Sequence, residues 1–321
     1  MKSRAIRAAL VFAFAAAGLI ASAGVARAES RIEKTLKLEP GGTFTLRTDV
    51  GAVRIKGTAQ PGARVVVTSK RDDLDDILRF EWSEGAGSVS VTAKKKHQLS
   101  SFFGSNNYRV TFEVEVPTKT RVTVDTSGGS IVLRSLEGEA KLETSGGSID
   151  VEDHTADVAA HTSGGEITLA RIQGKAKIDT SGGGIHAREI SGALDAETSG
   201  GSIDLDDVKG DIHAHTSGGG IEIREAGGRV DADTSGGSVE TRFARGNAKG
   251  GTIESSGGGV SVAVDPSVGL SIDASGNSVH SDIPVTVHGD ISRHHLQGKL
   301  NSGGETLRVR TSGGSVRIKS I

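Results

Sequence analysis

Thr126-Ser127-Gly128-Gly129-Ser130-Ile131-Val132-Leu133-Arg134-Ser135-Leu136-Glu137-Gly138-Glu139-Ala140-Lys141-Leu142-Glu143 is one copy of the 18-residue unit that decides the fold. Its opening Thr-Ser-Gly-Gly begins again at Thr144, Thr162, Thr180, Thr198, Thr216 and Thr234 without a slip. It then loosens into Ser255-Ser256-Gly257-Gly258, Ala274-Ser275-Gly276, Asn301-Ser302-Gly303-Gly304 and Thr311-Ser312-Gly313-Gly314. A short strict period means that one structural unit is stacked many times, each copy covering its neighbours' faces.

Within the unit Ile131 and Leu133 are apolar at alternate positions, Leu136 follows, and Ala140 and Leu142 alternate again. Period-two alternation marks strands with one buried face. Each copy therefore predicts two short strands and two turns, one at Ser-Gly-Gly and one near Gly138, and the whole an all-β parallel β-solenoid. Glycines at the first turn are expected to supply positive φ, with Ser and Thr hydroxyls satisfying nearby backbone groups. Continuing the alternation past Leu142 places Thr144, and each later motif Thr, on the inward side. The inward pair of the second strand keeps a steady volume: Ala140/Leu142, Val158/Ala160, Ala176/Ile178, Leu194/Ala196, Ile212/Ala214, Val230/Ala232. The outward position before each motif runs Glu143, His161, Asp179, Glu197, His215, Asp233. Like charges stacked about 5 Å apart repel by roughly 0.8 kcal/mol in water, and the histidines interrupt that column.

Residues 1–28 read as a secretory signal peptide: Lys2, Arg4 and Arg7, an apolar run from Ala8 to Val25, and Ala26-Arg27-Ala28 before the expected cleavage. Export to the periplasm or cell surface is the expected localisation, with no transmembrane segment after signal removal. The chain has 38 Lys+Arg and 40 Asp+Glu; without the four basic residues of the signal the balance is 34 against 40, or −6. A mild acidic excess argues against nucleic acid as a partner. There is no cysteine, so packing and backbone pairing hold the fold without disulfides.

Residues 29–120 form the expected second region, a degenerate, aromatic-rich N-terminal β cap. Thr48-Asp49-Val50-Gly51-Ala52-Val53-Arg54-Ile55-Lys56 aligns with Thr311–Lys319, and Glu84–Val91 is read as a further copy. Phe44, Phe80, Trp82, Phe102, Phe103, Tyr108 and Phe112 all lie here. Residues 121–321 are the regular solenoid, with an irregular insertion at about 277–300 that contains Pro284 and precedes two last rungs.

The Val114-Glu115-Val116-Pro117 strand leading into Val122-Thr123-Val124, the Ser-Gly-Gly-Ser-Ile copies and the closing Leu296–Gly304 segment resemble the bacterial β-strand-repeat proteins called "putative adhesins". The resemblance covers roughly residues 40–321 and implies an envelope or surface protein. It supplies no catalytic motif. The expected function is a non-catalytic exported cell-envelope scaffold or adhesin-like interaction protein, with no cofactor. The alternative is a polysaccharide-active or metal-dependent enzyme built on the same solenoid.

The candidate sites are weighed on that frame. Asp150, Asp204, Glu222 and Glu240 share an outward column, with Asp206-Asp207 nearby, but lie spread along the repeat rather than converging as acid–base catalysis requires. Turn calcium needs Asp within the glycine turn, whereas here Asp follows Ile on a strand. His213 and His215 point the same way, with Asp195 and Asp231 flanking His213, and are the candidates for a metal; solvated ladder positions are the competing account. The segment 94–108 joins basic, polar and aromatic residues. Lys95, Lys96, Phe102, Phe103 and Tyr108 there are the expected contacts for an envelope glycan or surface polymer, against a plain hairpin loop. Self-association is expected through the last rung, Thr311–Ile321, if its edge is open.

Overall fold

The computed structural model describes residues 30–70, 74–96, 110–287 and 292–321. It is almost wholly β: two long sheets of 14 and 15 strands, here sheet A and sheet B, face each other across one continuous apolar core. Each copy of the repeat places its second strand in sheet B and the strand after the next Thr-Ser-Gly-Gly in sheet A. Ala140–Thr144 thus pairs in parallel with Val158–Thr162, Ala140 opposite Val158 and Thr144 opposite Thr162. Ile149–His154 pairs likewise with Ile167–Ile172. The same register recurs down the stack, so equivalent residues form columns.

The motif threonines face inward. Thr144, Thr162, Thr180, Thr198, Thr216 and Thr234 are buried. Thr180 Oγ1 donates to the Gly165 carbonyl of the preceding rung at 2.8 Å and accepts from Gly183 N–H of its own corner at 3.3 Å. Thr162 and Thr198 repeat both bonds. The hydroxyl thus closes one corner and ties it to the corner below.

The glycines do something other than expected. In the strict copies from Thr126 to Thr234 neither glycine of the corner has a positive φ, whereas Gly51 of the degenerate first corner does, at 106°. The second glycine is selected by close approach: a Cβ on Gly165 would lie 2.1 Å from the Gly147 carbonyl oxygen, whereas one on Gly164 would meet nothing nearer than 3.7 Å. The left-handed residues are instead Ser135, Asp153, Arg171, Glu189, Asp207 and Glu225, with φ of 54° to 57°. Each shifts the strand out of simple alternation, which is why the inward set runs Ile131, Leu133, Leu136 rather than ending at residue 135. In Ile149–His154 this turn carries His154 into the column otherwise filled by Leu136 and Ile172, where it is buried. The ring nitrogens of His154 have no hydrogen-bond partner of good geometry. Burial pushes its pKa below the ordinary value, with the Asp157 backbone opposing part of the shift.

Both ends depart from sequence order. Thr43–Thr48 and Ala52–Thr58 make a rung paired to Arg121–Thr126 and Ile131–Leu136. Ser88–Lys95 and Val110–Pro117 then form the next rung outward, on the opposite side of that first one. Glu84–Val91 is therefore not a copy of the Thr48 corner. Leu78–Gly85 and Ser88–Lys95 form an antiparallel hairpin, and Val89 and Val91 sit in sheet B opposite Phe44 and Leu46. Alternating valines suit either sheet, so the alternation alone does not choose between them. Phe44 and Phe112 fill this end of the core, while Phe80 stacks on Trp82 with centroids 5.7 Å apart.

At the far end Thr306–Thr311 lies between Gly251–Ser255 and Leu270–Ser275, and Ser315–Ser320 between Val260–Val264 and Ser278–Ser281. The last rung in sequence is thus inserted one place inside the stack. This corrects the expectation of self-association through Thr311–Ile321: both edges of both strands are already paired. Asn301–Gly304 is likewise no rung corner but a turn after His295–Leu300, which runs antiparallel to Leu270–Ser275. Sheet B ends in antiparallel strands at both extremes, Leu78–Gly85 and Thr286–Val287, and sheet A in Ser30–Leu36 at one. Such strands interrupt the parallel template that an open edge would offer.

Candidate functional site

Outward columns of sheet B build a long concavity. The residues at the entry to these strands run Arg121, Glu139, Asp157, Lys175, Ala193, Asp211, Arg229. The first outward residues within them run Thr123, Lys141, Ala159, Lys177, Asp195, His213, Asp231. Together they line a groove of about 870 Å³. It crosses the strands from Arg121–Thr126 to Val230–Thr234; six strand spacings make it about 29 Å long. Its relief comes from residue size. Ala159 stands between Lys141 and Lys177, and Ala193 between Lys175 and Asp211, so short side chains lie between long charged ones.

Ion pairs fix much of the groove's charge. Lys177 Nζ donates to Asp195 Oδ2 at 2.7 Å, which raises the lysine pKa. Arg229 holds Asp231, with Nε 3.0 Å from Oδ2. Lys141 pairs with Glu143 at 2.9 Å. These contacts are exposed and contribute little stability each; their effect is to hold side chains upright along the rim.

His213 and His215, two apart on one strand, are not brought onto one site. His215 Nδ1 lies 2.7 Å from Asp233 Oδ1 on the next rung, as His161 Nδ1 lies 3.0 Å from Asp179 Oδ1. His213 instead meets Asp195 and Glu197 of the preceding rung; one ligand atom from each of the three lies within 4.8 Å of the others. Glu197 was not singled out as a ligand from sequence, although its place beside Asp195 and across from the histidines was visible in the columns.

On sheet A the acids weighed as catalytic, Asp150, Asp204, Glu222 and Glu240, are paired with basic side chains. Arg134 forks onto Asp150 at 3.0 and 2.9 Å and reaches Glu152 at 2.7 Å. Arg224 pairs with Asp204 at 2.5 Å and with Glu222, and Lys319 lies 3.6 Å from Glu240. Arg171, whose own pKa is raised, bonds Asp153 and Glu152 and lowers both carboxyl pKa values.

Of the residues expected to bind polymer, Phe102, Phe103 and Tyr108 lie outside the described residues. Lys95 ends its strand exposed, its N–H donating to Asp49 Oδ2 at 2.9 Å, and Lys96 Nζ donates to the Asp75 carbonyl. These two are far in sequence from the groove's lining residues and contribute none of them.

The family described as Toastrack DUF4097 matches residues 45–319, so the chain belongs to that family. No curated protein matches it. Among solved structures, a "putative adhesin" from Bacteroides fragilis NCTC 9343 is 12% identical, with 93% of this chain and 100% of that one covered and a TM-score of 0.37. A "putative adhesin" from Parabacteroides distasonis ATCC 8503 is 10% identical, with 90% and 97% covered and a TM-score of 0.34. A "putative lipid binding protein" from the same strain is 12% identical, with 90% and 96% covered and a TM-score of 0.33. At such low TM-scores these likenesses add no weight to the family match. Among the described residues no helix is long and apolar enough to cross a membrane.

Proposed function

We propose that this member of the Toastrack DUF4097 family is a non-catalytic, exported, adhesin-like interaction protein whose groove across sheet B receives an extended envelope glycan or surface polymer. The single observation that carries the reading is the groove's form. It runs across seven strands and presents a new set of lining side chains once per rung, about every 4.8 Å. A chain-like ligand meets such a surface with many weak contacts in register, whereas a small substrate would use one rung. The periplasm or cell surface is where such a polymer is met, in line with the signal-like residues 1–28. The segment 94–108, with Lys95, Lys96, Phe102, Phe103 and Tyr108, is proposed as a second contact.

A binding screen against acidic polysaccharides and cell-wall fragments tests this. Ala159→Arg, which fills the groove floor, is expected to abolish saturable binding, and Thr168→Arg on sheet A to leave it unchanged. Product release that a chelator stops would favour the enzyme alternative. If Phe102→Ala/Phe103→Ala abolishes binding and Ala159→Arg does not, the groove loses its role.

A further inference from the structure

The Asp195–Glu197–His213 group can be carried further. We propose that it is a binding site for a divalent transition metal of the zinc class, open on the groove side. Asp195 and Glu197 are two apart on Leu194–Thr198, so both leave the same face of the strand. His213 stands directly across from Asp195 in the parallel register, one strand spacing away. Their ligand atoms already lie within 4.8 Å of one another. Zinc bonds of about 2.0–2.2 Å place neighbouring ligand atoms roughly 3.4 Å apart, so side-chain rotations alone close the site. One imidazole with two carboxylates selects zinc, cobalt or manganese over calcium or magnesium, which prefer all-oxygen sets.

The state of the Asp195 carboxylate also points to a ligand. The Asp195 side chain is 32% exposed, but its Oδ1 atom is shut off from solvent and has no hydrogen-bond partner, while Lys177 holds Oδ2 of the same carboxylate. An acceptor so placed is costly to leave unfilled. Lys177 then orients the carboxylate from outside, as outer-shell donors commonly do. The neighbouring rungs do not reproduce the arrangement. One rung earlier the equivalent triple is Lys177, Asp179 and Asp195, and one rung later it is His213, His215 and Asp231. In that later triple Arg229 already holds Asp231, and His215 is turned to Asp233. Among the described residues no other group of His, Asp and Glu meets this geometry. Three protein ligands leave at least one coordination position for water or an incoming group.

The test uses the full-length protein, stripped with a chelator, and does not depend on what the groove binds. Titration with Zn²⁺ by calorimetry, and with Co²⁺ by visible absorption, is expected to give one saturable site per chain. His213→Ala and Asp195→Asn are each expected to weaken it at least about tenfold. His215→Ala, two residues away on the same strand, is expected to leave it within about threefold, with circular dichroism checking that all three variants fold. No saturable site, or a site that His213→Ala leaves unchanged, would overturn the proposal. Loss in His215→Ala equal to that in His213→Ala would overturn it as well, by assigning the metal to the outer histidine column.

Discussion

Replacing Thr180 by Val keeps the shape of a buried side chain and removes only its hydroxyl. The residue is 2% exposed, so water does not take the hydroxyl's place. Two hydrogen bonds go: the one donated to Gly165 O at 2.8 Å and the one accepted from Gly183 N–H at 3.3 Å. Each is worth about 1 kcal/mol net, and a buried group left unpaired costs about 1–3 kcal/mol, so the expected loss is about 2–4 kcal/mol. The incoming methyl also presses on the Gly165 oxygen, which the hydroxyl met at hydrogen-bond distance. Thr180→Ser keeps both bonds and forfeits one methyl, roughly 0.8 kcal/mol. The fold already uses that substitution at Ser255, which bonds Gly237 O at 2.7 Å and Gly258 N–H at 2.9 Å. Urea unfolding followed by circular dichroism, with amide exchange at Gly183, separates the two variants. Because a long repeat array can unfold in parts, the exchange readout is the sharper one. If Thr180→Val stays within about 0.5 kcal/mol of wild type, or Thr180→Ser is as damaging as Thr180→Val, the stapling role of the threonine column is wrong.

Other outcomes follow from single positions. His154 has a folded pKa below its unfolded value near 6.5, so between the two the unfolded chain binds the proton and the native chain does not. Its contribution is therefore present above about pH 6.5 and lost as pH falls through that window; His154→Leu should flatten the acid limb of urea midpoints measured from pH 8 to 5, and an unchanged slope would refute this. Glu189, exposed with φ 57°, carries the roughly 1 kcal/mol cost of a left-handed residue. Glu189→Gly should be neutral to about 1 kcal/mol stabilising, whereas Glu189→Val should lose about 1–2 kcal/mol; thermal melts in the reverse order would contradict that. Deleting residues 306–321 removes strands paired on both sides, so amide exchange should accelerate across Leu270–Ser275 as well as Gly251–Ser255. Acceleration on only one side would mean the last rung is peripheral.

How much of this was legible in the sequence differs from element to element. The inward threonines followed from carrying the Ala140–Leu142 alternation one step further, because a strand's period holds until something breaks it. The break near residue 135 left a trace, the spacing Ile131, Leu133, Leu136. Its cause was hidden, since the left-handed positions hold Ser, Asp, Arg and Glu rather than the glycine that such a conformation favours. Glycine at 129 and 147 was read correctly as special but for the wrong reason. Close approach between rungs depends on the neighbour, and a single copy does not show its neighbour. Strand order at the ends was illegible because every rung carries the same pattern; nothing local tells Thr306–Thr311 to insert beside Gly251–Ser255. The groove was partly visible. Ala159 between Lys141 and Lys177 is a dip in a column of long side chains, but only the exact register makes it a column.

The account rests on the claim that the Thr-Ser-Gly-Gly period is an internal stacking device, each corner lying against the one below. Comparing Gly165→Ala with Gly164→Ala in equilibrium unfolding tests it most directly. The first puts a Cβ 2.1 Å from the Gly147 carbonyl oxygen, while the second finds no atom nearer than 3.7 Å. The prediction is that Gly165→Ala loses about 1–3 kcal/mol or more through overpacking, and Gly164→Ala changes by no more than about 0.5 kcal/mol. Equal effects from the two, or greater damage from Gly164→Ala, would contradict it.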